Sequence, residues 1–352
     1  MDKIILKASD LDGYLTDSDK EKIELMNTLY SEAINEFEVI NSGSHEKRLK
    51  EAKESLITCY EKMGKEMQEI VKHENIHVYS FDTPKEAHGE ASRLIAKLRN
   101  PNTQHDEFVY YVQRAYELLF NLAFADNALA NKNYLIGETP VTIPVKNFSV
   151  HKIPDVDEMI NNTVMCVMLR GALLPSMILS KEIQEYSSTN FVPPFALFKI
   201  KRDDSKKEHN MEYVLDLNKS FFDLESLNGK DLVFADPMNA TGGSLVTIIQ
   251  YLNDEGIKPK SIKFINVVSA LKGAIRIVRA IENVDVYTLW MDPVLNENAY
   301  ILPGLGDAGD RLNGVDSDDN PRNMIQLIAD YGANISSLYR SQVRKLEETV
   351  LG

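Results

Sequence analysis

One run of residues near position 240 constrains this chain more than any other. Asp231-Leu232-Val233-Phe234-Ala235 reads as an apolar strand, Asp236-Pro237-Met238-Asn239-Ala240-Thr241-Gly242-Gly243-Ser244 as a loop of small and polar residues, and Leu245 to Leu252 as an apolar helix. A strand that runs through such a loop into a helix start converges backbone N–H groups where the helix dipole favours an anion. The pattern is that of a phosphate cradle. No Lys follows the glycines, so it is not a Walker loop, and the glycines are adjacent, so it is not a GxGxxG dinucleotide turn. Asp236 at the strand end offers acceptors to sugar hydroxyls, and Thr241 and Ser244 add donors. A Gly-Gly helix start capped by Asp and Thr has the same composition.

The surroundings of this run predict an α/β protein. Thr163 to Leu169, Phe195 to Ile200, Ile262 to Val268 and Val284 to Trp290 read as strands, and Ser244 to Asn253 and Lys272 to Glu282 as helices. That alternation predicts a mostly parallel twisted sheet with crossover helices and ligands at the carboxyl ends of its strands. Further upstream, Pro140 to Pro144 reads as a strand, Ile76 to Phe81 as a short alternation, and Ile95 to Leu122 as helical. Apolar residues spaced by three and four over 23–40 and 49–70, parted by Asn41-Ser42-Gly43-Ser44, predict a helical hairpin. The expected organisation is a helical hairpin extension over 1–73, the α/β domain over 74–316, and a C-terminal helical extension over 317–352 carrying Ile325, Leu327, Ile328, Ile335, Leu338 and Val343.

Charge narrows the ligands. With 39 Lys and Arg against 53 Asp and Glu, the net charge of -14 disfavours broad binding to nucleic acid or anionic lipid. Cys59 and Cys166 are far apart and lack metal-ligand spacing, which argues against a disulfide framework or zinc and for a reducing cytoplasm. No export or membrane-spanning segment is expected.

A second signature is Asn296-Glu297-Asn298-Ala299-Tyr300-Ile301-Leu302-Pro303-Gly304-Leu305-Gly306-Asp307-Ala308-Gly309-Asp310-Arg311. Three glycines within six residues describe a tight loop that exposes its own backbone, and such a loop can read the edge of a flat base. A turn-rich structural loop has the same residues. Ser9-Asp10-Leu11-Asp12-Gly13-Tyr14-Leu15-Thr16-Asp17 superficially looks like a phosphatase aspartate-nucleophile loop, but an Asp-rich turn and helix cap explains it better.

Together the two loops resemble those of the uracil phosphoribosyltransferase family. Leu98-Arg99-Asn100-Pro101-Asn102-Thr103, Val167-Met168-Leu169-Arg170-Gly171-Ala172 and Ile200-Lys201-Arg202-Asp203 are similar to further family segments, and the likeness covers roughly residues 76 to 316. The resemblance implies a type I phosphoribosyltransferase fold with a small uracil-binding β-arm or hood. It also implies a pentosyltransferase of pyrimidine salvage that makes UMP and pyrophosphate from uracil and phosphoribosyl pyrophosphate. Mg²⁺ would come bound to that substrate, GTP is a candidate activator, no protein metal site is implied, and a cytoplasmic homo-oligomer, dimer or tetramer, is expected. Carried onto this chain, Arg170, Asp236 and Asp307 are the catalytic candidates. Phosphoribosyl pyrophosphate would meet Arg170, Arg202, Asp236, Pro237, Met238, Asn239, Ala240, Thr241, Gly242, Gly243, Ser244 and Asp307. Uracil would meet Ile301, Gly306, Asp307 and Ala308, while Asp310 and Arg311 brace the loop.

Three departures stand out. The family's Arg-Ala-Gly is Arg170-Gly171-Ala172 here, Asn239 replaces a usual Leu, and the chain continues past Leu312-Asn313-Gly314-Val315. These motivate the competing reading, a non-catalytic nucleotide or uracil sensor on the same fold.

Overall fold

The computed structural model describes residues 3–43, 45–125, 132–143, 145, 147–314 and 340–351. Strand β5 (Thr163–Leu169) sits at the centre because all seven of its residues are apolar or small enough to be buried on both faces. It pairs in parallel with β6 (Phe195–Arg202) on one side and β8 (Asp231–Asn239) on the other. Beyond β8 lie β9 (Ser261–Ala270), β10 (Val284–Asp292) and β2 (Ile76–Val78), all parallel. Beyond β6 lie β7 (Glu212–Phe221) and then β1 (Lys3–Lys7), each antiparallel to its neighbour. The order of the eight-stranded sheet is β1-β7-β6-β5-β8-β9-β10-β2. The chain therefore reverses its direction of winding at β5, and a crevice opens there at the carboxyl ends of β5, β6 and β8.

Helices cover both faces. Crossovers α8 (Leu173–Tyr186), α9 (Gly243–Asp254) and α10 (Leu271–Ala280) follow β5, β8 and β9. Before the sheet core come α1 (Ala8–Asp12), α2 (Asp17–Asn41), α3 (Glu46–Val71), α4 (Tyr79–Asp82), α5 (Lys85–Arg99), α6 (His105–Phe120) and α7 (Asp157–Ile160). Asn100 leaves the helical region at ψ 121, as the residue before Pro101 must, and this splits the long helical pattern into α5 and α6. Two small hairpins complete the fold: β3 (Lys132–Glu138) with β4 (Phe148–Pro154), and β11 (Val294–Leu295) with β12 (Ile301–Leu302). The end of the chain carries α11 (Ala308–Asn313) and α12 (Arg340–Leu351).

The mixed α/β architecture with a mostly parallel sheet agrees with the sequence pattern, and two local expectations change. Ile4-Ile5-Leu6 belongs to an edge strand of the main sheet rather than to a helix, because β7 leaves a free antiparallel edge for it. Val141, Thr142 and Ile143 are not a strand. They lie in the connection between β3 and β4, and Pro144 lies outside the described residues. Of the C-terminal helical extension expected over 317–352, residues 340–351 are helical, and 317–339 and 352 lie outside the described residues.

The helical pair α2 and α3 is bound to the sheet layer by charge as well as by apolar packing. Arg279 of α10 donates from Nε and Nη2 to the Asp19 carboxylate, each at 3.0 Å, and from Nη1 and Nη2 to Glu74, each at 2.7 Å. Burial alone would raise the Asp19 carboxyl, but hydrogen bonds from Arg279 and Thr16 outweigh it and hold it below the usual range. Arg279 is also what holds Glu74 low. Removing a buried carboxylate's partner typically costs about 3–5 kcal/mol, and the partial exposure of Arg279 trims this. We expect Arg279→Met to lose about 2–4 kcal/mol in urea unfolding near neutral pH, with a smaller loss below the carboxylate range where Asp19 and Glu74 are protonated. A loss that does not shrink on acidification would contradict this account.

Candidate active site

The two sequence signatures meet in one cleft of about 630 Å³ at the carboxyl end of the sheet. Its lining includes Met168 in β5 and Gly171 after it, Arg202 at the end of β6, residues 236–242 and Ser244, and Tyr300, Ile301, Gly306 and Asp307 from the base-like loop.

The phosphate-loop geometry rests on its glycines. Gly242 has φ +78, and a Cβ there would stand 2.9 Å from both the Gly273 carbonyl oxygen and Ile277 Cγ1. Gly243 faces a different neighbour: a Cβ would lie 2.2 Å from the Tyr213 ring. No side chain caps the start of α9, so its first N–H groups face the loop without a built-in acceptor, as an anion site needs. Ser244 lines the cleft, and Thr241 is buried beside it.

Asp236 stands where β8 reaches the cleft. Its Oδ1 accepts the Met238 N–H at 3.2 Å, and Asn266 donates to its backbone carbonyl at 3.0 Å. Burial pushes the carboxyl up to about 7; the Met238 N–H opposes this and the charge of Asp307 adds to it. Asn239 is buried, and its amide donates to Ser269 Oγ at 2.9 Å. The polar residue at this departure from the family pattern is thus satisfied by β9.

The base-like loop is braced from below. Gly304 takes φ +64, where a Cβ would lie 2.2 Å from the Ile301 carbonyl oxygen, and its N–H donates to the buried Asp292 carboxylate at 2.9 Å. Arg99 pairs with the other oxygen of Asp292. Arg311 donates to the carbonyls of Leu305 at 2.8 Å and Asn100 at 3.2 Å, with its guanidinium 4.0 Å above the Phe108 ring. Asp307 caps α11 by accepting the Asp310 N–H at 2.9 Å.

The two arginines expected at the pyrophosphate differ in placement. Arg202 lines the cleft, donates to Asp204 at 2.6 Å and to the Ala299 carbonyl at 3.2 Å, and lies 5.0 Å from the Tyr300 ring centre. Arg170 does not line the cleft. It donates to the Gly314 carbonyl at 2.9 Å and pairs with Asp310 at 3.1 Å. Gly171 does line it, and a Cβ there would meet Gly309 Cα at 3.5 Å, so the β5 loop and the base-like loop touch through glycines. Gly243 and Ala308 are packed behind the lining residues, Ala308 fully buried.

Sequence reading missed the supporting residues: Asp292 under Gly304, Ser269 under Asn239, and Tyr213 under Gly243. Each acts across a long sequence separation, and only Asp292, ending a strand just before the loop, carries a local signal. The Asp10 and Asp12 string is a helix cap and ion pair: Asp10 accepts the Lys7 N–H at 3.2 Å, and Asp12 accepts Arg276 Nε at 3.0 Å.

A strand, a small-residue loop and an uncapped helix start thus share one cleft of an α/β protein with a second, glycine-rich loop. Residues 86–314, well over half of the chain, match the family model described as uracil phosphoribosyltransferase, and the chain belongs to that family. Among curated relatives, the uracil phosphoribosyltransferase of Dictyoglomus turgidum is 44% identical over 91 residues, 26% of this chain and 43% of that one. The enzyme of the same name from Limosilactobacillus fermentum is 48% identical over 86 residues, 24% of this chain and 41% of that one. The chain thus spans under half the length of the curated relatives it matches. Similar solved structures include a protein from Aquifex aeolicus, 22% identical with TM-score 0.43 over 65% of this chain and 96% of that one. Another is Mycobacterium tuberculosis orotate phosphoribosyltransferase with phosphoribosyl pyrophosphate, 12% identical with TM-score 0.31 over 61% of this chain and 95% of that one.

The raised Asp236 carboxyl gives a pH test. Its neutral form is favoured in the fold by at most about 4 kcal/mol, an advantage complete below the ordinary aspartate range and lost as pH rises through about 7. Asp236→Asn stays neutral throughout. We expect the variant to gain stability relative to the parent by about 2–4 kcal/mol between pH 4 and 8 in denaturant unfolding. A difference that is flat with pH would show that Asp236 is not held in this way.

Proposed function

We propose that this chain is a cytoplasmic uracil phosphoribosyltransferase that forms UMP and pyrophosphate from uracil and phosphoribosyl pyrophosphate in pyrimidine salvage. The observation that carries the reading is the shared cleft: the phosphate loop and the base-like loop line one volume, in a chain of this family. In this reading Ala240 to Ser244 receive the 5′-phosphate on backbone N–H groups and hydroxyls, and Asp236, with Pro237, Met238 and Asn239 behind it, accepts from the ribose hydroxyls. Uracil reads the backbone of Ile301, Gly306 and Ala308. Breaking the C1–O bond builds positive charge on the ribose and negative charge on the leaving pyrophosphate. Arg202 neutralises that side, and Arg170 joins it by exchanging Asp310 for a phosphate oxygen, a planar fork suiting either partner.

Among the described residues, no three His, Cys, Asp or Glu side chains gather as metal ligands. Mg²⁺ is read as part of the phosphorylated substrate, whose charge it offsets, with the carboxylates of Asp236 and Asp307 lining the cleft that receives the complex. A cation there also favours ionised Asp236. Both cysteines are free and buried, in keeping with a reducing compartment, and among the described residues no helix is long and apolar enough to cross a membrane. The hairpin β3–β4 supports a homo-oligomer: Tyr134, Ile136, Phe148 and Val150 are each more than half exposed on it.

Incubation of the full chain with labelled uracil, phosphoribosyl pyrophosphate and Mg²⁺, with and without GTP, tests the reading by UMP formation. Binding of UMP without turnover would instead mark a nucleotide sensor. Asp307→Asn is expected to lower kcat at least about tenfold while costing about 1 kcal/mol of stability through its cap. A variant with normal kcat would remove Asp307 from the chemistry.

A further inference from the structure

The floor of the phosphate loop is the first turn of α10. A Cβ on Gly273 would stand 2.4 Å from the Ala240 carbonyl oxygen, while the Gly273 carbonyl oxygen crowds Gly242 from the other side. Loop and helix backbone are in contact with no slack, so a shift of one moves the other. Flanking Gly273 are two cations, Lys272 and Arg276, one helical turn apart.

Those cations are clamped by carboxylates from two other parts of the chain. Arg276 is fully buried; its Nε donates to Asp12 Oδ1 at 3.0 Å, and its Nη2 bonds the same oxygen and lies 3.0 Å from Glu208 Oε1. Lys272 Nζ lies 2.9 Å from Glu208 Oε1 and 3.7 Å from Asp12 Oδ1. Glu208 belongs to the connection between β6 and β7, and its N–H donates to the Glu297 carbonyl of the base-like loop at 2.7 Å. Asp12 comes from α1, outside the family-matched residues 86–314. Its position is fixed: β1 pairs with β7, the Ala8 N–H donates to the Met211 carbonyl at 2.9 Å, and Ala8 and Leu11 are fully buried.

We propose that Asp12 is a positioning residue for the phosphate loop, holding Arg276 and with it the turn at Gly273 on which Gly242 rests, so that the N-terminal segment is a working part of the active site. The inference rests on the reading of this cleft as the phosphoribosyl pyrophosphate site. With a neutral amide in place of the carboxylate, fully buried Arg276 loses the Asp12 share of its balancing charge, and the helix turn shifts to hydrate it. The loop follows the turn. The base side, held by Asp292 and Arg311, does not.

The test compares the full chain with Asp12→Asn, Asp12→Glu and the exposed control Asp17→Asn, using calorimetry with magnesium phosphoribosyl pyrophosphate, steady-state kinetics, and amide hydrogen exchange. Asp12→Asn is expected to weaken phosphoribosyl pyrophosphate about tenfold in Kd and KM, with KM for uracil changed less than about twofold. Asp12→Glu should recover most of that loss, and Asp17→Asn should match the parent. Amides of residues 240–246 should exchange faster in Asp12→Asn while those of α2 and α3 do not. If Asp12→Asn does not fold, the same local loosening is read in Asp12→Glu at smaller amplitude. Unchanged affinity in folded Asp12→Asn, or loosening spread evenly over the chain, would overturn the proposal. A parent chain that fails to bind phosphoribosyl pyrophosphate would overturn the substrate reading instead, and the exchange pattern would then decide the clamp on its own.

Discussion

The structure depends on one close backbone approach, that of the phosphate loop to the start of α10. Gly242, Gly243 and Gly273 are required there for different physical reasons. Gly242 needs a left-handed φ, Gly243 makes room for the Tyr213 ring, and Gly273 lets a helix turn lie against the Ala240 carbonyl. A side chain at Gly242 or Gly273 would part the loop from α10, and one at Gly243 would part α9 from β7. The same contact delivers an uncapped helix start to the cleft, the arrangement that an anion site requires. Fold and site are therefore set by the same atoms.

The acidic balance of the chain makes the placement of its cations informative. With a net charge of -14, an anion reaches this surface against the average field, and local donors must outweigh it. The structure concentrates arginine where carboxylates already hold it: Arg99 on Asp292, Arg170 on Asp310, Arg276 on Asp12 and Glu208, Arg279 on Asp19 and Glu74. Of these, Arg170 stands at the mouth of β5 beside the cleft lining, itself only partly buried and held by a partly exposed Asp310, whereas Arg276 is fully buried. An exposed carboxylate is a weak competitor for a guanidinium against a pyrophosphate that brings several oxygens. The buried pairs are held more firmly, since separating them strands a charge.

Much of this was legible in the sequence because the information is local. Runs such as Thr163 to Leu169 and Asp231 to Ala235 announce buried parallel strands by composition, and the turn residues of 236–244 and 300–311 announce their loops by spacing. Edge elements were less legible. Lys3–Lys7 has too few residues to show an alternation, and its strand character comes from the free edge of β7 rather than from itself. The hairpin β3–β4 shows only a strand-like texture after Asn131 for a related reason: its exposed faces carry mixed apolar and polar residues with no burial pattern to read. The expected strand fell instead on the Val141 to Ile143 connection, where prolines and β-branched residues imitate one.

The supporting contacts illustrate a different limit. Arg99 was singled out for the segment it lies in, yet what it does is set by Asp292, a residue 193 positions away that also receives the Gly304 N–H. A helix end, a strand end and a loop glycine share one buried carboxylate, and no spacing rule connects them. The carboxylate accepts from both because a buried charge needs every donor it can find, and a glycine that must take φ +64 presents its N–H where a side chain would block it. The residues that shape the base-like loop are thus chosen by the electrostatics of one aspartate beneath it. That is why the loop can expose its backbone to the cleft while its own fold stays fixed from below.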